Sequence, residues 1–366
     1  MKITTIQLNN FRNHKETFVD FNDGINTLVG QNGQGKTNIV EAIVVSSTTK
    51  SPRTSKENEL ILNGQNSTRV SINVARNFGN VKIEYVIDKE QGKIFYINGN
   101  EVKKMSDVFG NLVTVYFSPD EIKIVSESPN ERREFMDTDI SQLSGTYYNL
   151  LNRYNKVLFQ RNKLLKTERN RELLLSQLDV WNEQLASLAA PIIKTRKSFI
   201  QKLTDPARQA LKDLSKQAED LQIEYVGAKG TSIEELKSEI LQALVYNTER
   251  DIELGYTSIG PHRDDLKFIL NGLDARSFAS QGQQRSIVLA LKIAEAEIFA
   301  QELNENPILV LDDVFSELDT RRQKKLFDVV SKYQTIITGT AFKFPKEQSY
   351  TSFRVDGGKV KMKKTV

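Results

Sequence analysis

The apolar positions of this chain switch between a period of two and a period of about 3.6 residues, the signatures of strand and helix. Met1-Lys2-Ile3-Thr4-Thr5-Ile6 alternates as a half-buried strand does. Ile25, Leu28 and Val29 predict a further strand, and Asn38-Ile39-Val40-Glu41-Ala42-Ile43 a helix soon after it. In the middle of the chain, Tyr148, Leu151, Tyr154, Leu158, Leu164 and Leu165 recur near helical spacing, as do Leu174, Leu178, Trp181, Leu185, Leu188 and Ile192. Pro191 is expected to kink this helix and Asp205-Pro206 to start the next. Leu221-Gln222-Ile223-Glu224-Tyr225-Val226 and Asp265-Leu266-Lys267-Phe268-Ile269-Leu270 read as strands that can pack on either neighbouring unit. Further on, Ile287, Leu289, Leu291, Ile293 and Ala294 predict a helix, and Ile308-Leu309-Val310-Leu311 a strand buried on both faces.

The first strand-to-helix junction carries chemistry. Gly30-Gln31-Asn32-Gly33-Gln34-Gly35-Lys36-Thr37 fits G-x-x-x-x-G-K-[ST], followed by Asn38 at the helix start. Glycines let backbone N–H groups curl around phosphate oxygens, and the helix N-terminus adds a favourable dipole. Lys36 can reach β- and γ-phosphates, and the Thr37 hydroxyl can hold Mg²⁺. A Gly-rich turn that happens to contain Lys-Thr is the plain alternative, and the flanking strand and helix disfavour it. Downstream, the buried strand ends in Asp312 and Asp313, where open α/β sheets bind ligands. Asp312 is the expected Mg²⁺ partner, and Asp313, with Lys36, the catalytic residue acting on the attacking water. Ser280-Gln281-Gly282-Gln283 opens a helix, either as an ordinary N-cap or as an anion site. Ser316 and Asp319 stand in a Ser-x-Leu-Asp element just after the acid pair.

Phosphate loop, Ser-x-Gly-Gln, apolar-Asp-Asp and Ser-x-Leu-Asp, in this order, resemble ATP-binding-cassette ATPases. That resemblance implies a dimer in which Ser280, Gln281, Gly282 and Gln283 serve the partner chain's ATP. The separation of Lys36 from Ser280 is long for a transporter ATPase, so a helical arm is inserted. The arm is too short for the long coiled coils of chromosome-maintenance ATPases. The fold expected is therefore α/β, a cassette-type P-loop head of residues 1–118 and 279–366 with a mostly helical arm, with short strands, of residues 119–278.

More specific segments resemble the RecF family of bacterial DNA replication and repair proteins. They are Leu8-Asn9-Asn10-Phe11-Arg12-Asn13-His14, Pro119-Asp120 through Pro129-Asn130-Glu131-Arg132-Arg133-Glu134-Phe135-Met136-Asp137, Gly260-Pro261-His262-Arg263-Asp264-Asp265, Ser280-Gln281-Gly282-Gln283-Gln284-Arg285, and Val310-Leu311-Asp312-Asp313-Val314-Phe315-Ser316-Glu317-Leu318-Asp319. The resemblance runs end to end. Glu127 departs from it, standing where the family usually has Gly, so a different local turn is expected there. The resemblance implies ATP-gated binding to double-stranded DNA and gap junctions, and loading of RecA together with RecR and RecO. In related heads a residue at the position of Arg12 approaches the nucleotide, a surface salt bridge being the alternative. No histidine follows the strand 335–340, so Thr338 or Thr340 is the expected γ-phosphate sensor. With Asp313 in place of the usual Glu, slow hydrolysis is expected. The rival reading is a structural switch adaptor in which ATP orders the dimer and hydrolysis is incidental.

Composition narrows the remaining choices. The chain has 366 residues, no cysteine and two histidines, which excludes disulfides and Cys-based metal sites and leaves little for zinc. No apolar run reaches the ~20 residues of a membrane span, and no signal segment opens the chain, so a cytoplasmic protein with no membrane partner is expected. Net charge is only +4, so a nucleic-acid surface must be a local patch. Arg153, Lys156, Arg161, Lys163, Lys166 and Arg169 form such a candidate on the arm, and Lys194, Arg196, Lys197 and Lys202 another. Solvated helix faces are the plain alternative. Arg132 and Arg133 are expected in structural pairs, and His262 beside Asp264 and Asp265 in a hydrogen-bonded turn.

Overall fold

The alternating N-terminal stretch forms β1 (Lys2–Phe11), which buries Ile3, Ile6 and Leu8. The computed structural model describes residues 1–215, 217–341 and 349–365. A tight turn with Arg12 at φ 52° leads into β2 (His14–Asp20). Next comes β3 (Ile25–Val29), whose first four residues are buried, and α1 (Lys36–Thr48) rises directly from the Gly-rich loop behind it. Then β4 (Ser67–Ala75), β5 (Val81–Asp88), β6 (Gly92–Ile97) and β7 (Asn100–Glu101) pair as successive antiparallel neighbours. They complete an antiparallel sheet of order β2-β1-β4-β5-β6-β7.

After β8 (Thr114–Phe117) the chain becomes helical: α2 (Lys123–Ser126), α3 (Pro129–Leu143), α4 (Gly145–Thr167) and α5 (Arg171–Ser215). Glu127, at the C-cap of α2, has φ −104°, so this turn needs no left-handed residue. One expectation is corrected here. Asp205-Pro206 starts no helix, because α5 runs unbroken through both Pro191 and Pro206. An interior proline costs about 3 kcal/mol. The buried stripe Ile192, Ile193, Phe199, Ile200, Leu203, Ala207, Leu211 and Leu214 continues across Pro206, so burial outweighs the lost hydrogen bond.

The rest of the middle contributes β9 (Leu221–Val226), α6 (Ile233–Tyr246), α7 (Thr248–Leu254), β10 (Asp265–Leu270) and β11 (Leu273–Asp274). The two ambiguous strands pair with each other, Leu221 opposite Leu270, and form a three-stranded sheet with β11. The chain closes with α8 (Ala275–Phe278), α9 (Gln281–Leu303), β12 (Ile308–Asp312), α10 (Thr320–Val330), β13 (Thr335–Gly339), β14 (Tyr350–Asp356) and β15 (Lys359–Thr365).

The second large sheet has the order β15-β14-β3-β13-β12-β8, parallel except for the β14–β15 pair. It brings together strands from opposite ends of the chain. Thr338 of β13 pairs with Leu28 of β3 on one side and Asp312 of β12 on the other. The C-terminal ends of these three strands therefore meet beneath the Gly-rich loop, the usual ligand crevice of such sheets. Lys359, Lys361 and Lys363 lie on the edge strand β15, while the side chain of Lys364 falls outside the described residues. One apolar core runs from β1 through α1 to α5 and α9, and a small satellite of Leu165, Leu174 and Leu178 joins α4 to α5. No helix among the described residues is long and apolar enough to cross a membrane.

Candidate nucleotide site

The loop's conformation follows from its glycines. Gly33 and Gly35 stand at φ 80° and 107°, a region that favours glycine. A Cβ on Gly30 would lie 2.2 Å from the Val355 carbonyl oxygen, so β14 also demands a bare backbone there. Gly35 caps α1 without any side-chain hydrogen bond, which leaves the Lys36 and Thr37 amides and the positive dipole end available to an anion. The Lys36 ammonium donates to the carbonyls of Gly30 (2.7 Å) and Gln31 (2.8 Å). Burial lowers its pKa, while the carboxylates of Asp313 and Asp312 oppose that shift.

Three strand ends supply the rest. Thr37 Oγ1 donates to Asp312 Oδ1 at 3.0 Å, joining loop to β12. Thr338 Oγ1 donates to the same oxygen at 2.5 Å and accepts from the backbone N–H of Asp313 at 3.0 Å. Burial raises the Asp312 pKa, and the two hydroxyl donors pull it back. Asp313 caps the next turn at φ 55°, exposed, with the Ser316 hydroxyl donating to its carbonyl at 2.8 Å. A hydroxyl and a carboxylate converging beside a lysine suit a hard divalent cation carried by a phosphate. Thr338 is buried against Asp312, and Thr340 is exposed past the strand end.

The Ser280 segment forms both contacts of a capping box: Ser280 Oγ accepts from Gln283 N (3.3 Å), and Gln283 Oε1 accepts from Ser280 N (2.9 Å). Ser280 and Gln281 are exposed, Gly282 and Gln283 partly so. Asp319 caps α10 by accepting from the N–H groups of Arg321 and Arg322. Arg322 then ties the two segments together: it pairs with Asp319 and donates to Ser286 Oγ (2.8 Å) and the Gly282 carbonyl (3.0 Å). Sequence reasoning gave Arg322 no role. Its i, i+3 spacing from Asp319 was the available signal, although nothing local foretold the reach to α9.

Comparison with known proteins decides the family. The RecF/RecN/SMC N terminal domain matches residues 2–349. The DNA replication and repair protein RecF of Clostridium acetobutylicum is 40% identical over 366 residues, spanning 98% of this chain and 99% of that one. RecF of Acetivibrio thermocellus is 42% identical over 348 residues, 93% of each chain. The chain belongs to the RecF family. Among solved structures, the recombination mediator protein RecF-ATPrS of the RecFOR pathway superposes with a TM-score of 0.91 at 34% identity, covering 99% of this chain and 98% of that one. An Smc head bound to the C-winged helix domain of ScpA, at 14% identity and a TM-score of 0.58, shares the fold. The fold is thus the ABC-type ATPase head of RecF and SMC proteins.

Several expected contacts of this RecF-family chain fall elsewhere. Arg12 makes a bidentate pair with buried Glu41 (2.8 and 2.6 Å) and also donates to the Glu59 carbonyl. Arg53 joins the same group through Asn38 Oδ1 (2.9 Å) and Glu41 Oε2 (3.3 Å). Arg161 is no DNA contact. It is fully buried, bonded to Asn182, Asp251 and Thr257, and its Nη2 has no partner. Arg196 is likewise buried, paired with Asp137 and the Pro261 carbonyl. Lys194 and Lys197 donate to the carbonyls of Thr231 and Gly230, and Lys202 pairs with Glu302. Lys156, Lys163 and Lys166 remain exposed on α4. Arg132 is structural, bidentate with Asp265. Arg133 donates to the Asp264 carbonyl. His262 is enclosed by Tyr154 and the Thr257 carbonyl, and burial pushes its pKa down to about 4.

Proposed function

We propose that this chain is an ATP-gated DNA-binding ATPase of recombinational repair that works as an ATP-induced dimer. The reading rests on one observation above the rest: Lys36, Thr37, Asp312 and Asp313 converge at the ends of three strands, with a second strand's hydroxyl, Thr338, ordering both acids. The backbone of Gly30, Gln31, Asn32, Gly33, Gln34 and Gly35, with Lys36, Thr37 and Asn38, takes the ATP phosphates. Arg12 serves the site through Glu41. Thr37 and Asp312 would hold Mg²⁺, which when bound neutralises charge on the phosphates. Asp313 takes a proton from the water whose oxygen bonds the γ-phosphorus while the bond to the β-phosphate oxygen breaks. A carboxylate at an exposed turn is a modest base, so turnover is slow.

Ser280, Gln281, Gly282 and Gln283 meet the partner copy's nucleotide, and Ser316 and Asp319 line the same dimer face. Arg322 makes these segments one rigid unit. Lys156, Lys163 and Lys166 give the arm a sequence-independent phosphate contact on double-stranded DNA and gap junctions. The likeness to a mediator of the RecFOR pathway supports RecR and RecO as partners and RecA as the protein loaded.

Light scattering of the full chain with no nucleotide, ADP·Mg²⁺ or ATP·Mg²⁺, with and without a gapped duplex, tests this. A dimer formed only with ATP and strengthened by DNA is the expected result. A monomer in every condition would remove the composite site.

A further inference from the structure

His14 lies outside the phosphate-loop motif yet grips it. It is fully buried at the start of β2. Its Nε2 is 3.0 Å from the Gly35 carbonyl, and its Nδ1 is 2.9 Å from Thr17 Oγ1 and 3.0 Å from the Gly358 carbonyl. Carbonyl oxygens only accept, so the Thr17 hydroxyl alone among these partners can donate to the ring, and it stands at Nδ1. The Gly35 carbonyl, the partner of Nε2, can only accept, so their contact at 3.0 Å places the ring hydrogen on Nε2, pointing at Gly35. Burial lowers the pKa of this histidine against the pull of the Gly35 and Gly358 carbonyls, which favours the neutral ring.

The Gly35 carbonyl also accepts from the backbone N–H groups of Asn38 (3.1 Å) and Ile39 (3.3 Å), so donors from two elements fix its direction. In a planar trans peptide the C=O and the following N–H point opposite ways. Holding this carbonyl inward therefore holds the Lys36 N–H outward, toward a phosphate. The preceding residue is held from the other side: Gln34 accepts from Gly357 N through Oε1 (2.6 Å) and from Gly358 N through its carbonyl (3.0 Å). Thr17 Oγ1 also stands 2.6 Å from the Gly358 carbonyl, so its single hydrogen is shared between that oxygen and Nδ1, closing the circuit from β2 to the β14–β15 turn and back to the loop.

We propose that His14 is a positioning residue of the phosphate loop, donating from Nε2 to the Gly35 carbonyl to hold the Gly35–Lys36 peptide in the orientation that receives nucleotide phosphates. The proposal rests on the nucleotide-site reading above, and its test separates the two. ADP·Mg²⁺ binding is measured by calorimetry on the full chain carrying His14→Gln, His14→Asn, His14→Leu or Lys36→Met, each with its melting temperature. A glutamine amide reaches the place of Nε2 and restores the donor, whereas an asparagine amide reaches only the place of Nδ1.

Expected is an affinity loss of about tenfold in His14→Asn and His14→Leu, with His14→Gln within about twofold of wild type, since one net hydrogen bond is at stake. If His14→Leu does not fold, the Asn–Gln contrast decides at matched melting temperature. Equal affinity for Asn and Gln, whether both retained or both lost, overturns the positioning role. Wild-type binding by Lys36→Met would instead overturn the nucleotide site itself.

Discussion

The hydroxyl of Thr338 donates to Oδ1 of Asp312 at 2.5 Å and accepts from the backbone N–H of Asp313 at 3.0 Å. One side chain on β13 thus orders both acids at the end of β12, where a charged switch residue was expected to be missing. Thr338→Val keeps the shape and removes both contacts. ATPase activity is expected to fall about 10- to 100-fold, the usual cost of losing an orienting partner at a metal site. Thr338→Ser is expected to retain most of it. Steady-state hydrolysis at several Mg²⁺ concentrations checks this, and equal activity for Val and Ser would contradict it.

Asp313→Asn is expected to lower turnover at least ~100-fold by removing the general base. ATP binding and ATP-driven dimerisation are expected to survive, because the shorter scaffold contacts of Asp313 run through its backbone and an asparagine oxygen can keep the 3.4 Å contact of Oδ1 with the Ser316 hydroxyl. Lys36→Arg should weaken nucleotide binding as well, since a guanidinium cannot occupy the compact space of the ammonium. If both variants still bind DNA as dimers and support RecA loading, hydrolysis is incidental and the chain acts as an adaptor.

The basic positions of α4 divide by burial. Arg161→Ala leaves Asp251 buried without its cation and is expected to cost about 3–5 kcal/mol, read as a shifted urea midpoint. Lys156→Ala, Lys163→Ala and Lys166→Ala together are expected to leave stability nearly unchanged. Each lost phosphate contact should flatten the salt dependence of duplex affinity by about 0.9 per log unit. An unchanged slope in the triple variant would exclude α4 as the DNA surface.

A buried acid pair links α3 to α9. Asp139 Oδ2 lacks a hydrogen-bond partner, and the Lys292 ammonium bridges Glu295 Oε2 (3.0 Å) and Glu121 (2.8 Å). Burial pushes both pKa values up, Glu295 to about 7; the Glu295 charge adds to the rise at Asp139 and the Glu121 charge to that at Glu295, while Lys292 pulls both back. The folded chain therefore holds a proton that the unfolded chain releases near pH ~4. Stability from this pair is full in acid and is lost as pH rises through about 7. Asp139→Asn should flatten that fall, seen as a smaller drop in urea midpoint between about pH 5.5 and about pH 8.5. The same drop in both proteins would refute the shared proton.

How far the sequence could be read depended on how far apart the partners lie. The phosphate loop, its strand and its helix occupy one contiguous stretch, so spacing alone placed Gly30 through Asn38. The acid pair was legible only beside the phosphate loop, because an apolar run ending in carboxylates is a common pattern by itself. Arg161 and Arg196 were not legible, since their acids, Asp251 and Asp137, lie far away along the chain. On a helix an exposed and a buried arginine leave the same local pattern.

By itself, then, the sequence determined the strand–loop–helix that suits a phosphate, the buried strand that carries Asp312, and the helical character of the middle. These depend on backbone conformation and short-range periodicity, which neighbouring residues set. Tertiary structure alone decided that α5 passes through Pro206, that Thr338 stands between β3 and β12, that Arg322 joins the Asp319 turn to the start of α9, and that His14 holds Gly35. Each of these depends on groups distant in sequence being desolvated together. Burial makes a hydrogen bond or an ion pair obligatory there, and no local pattern records which distant group will supply it.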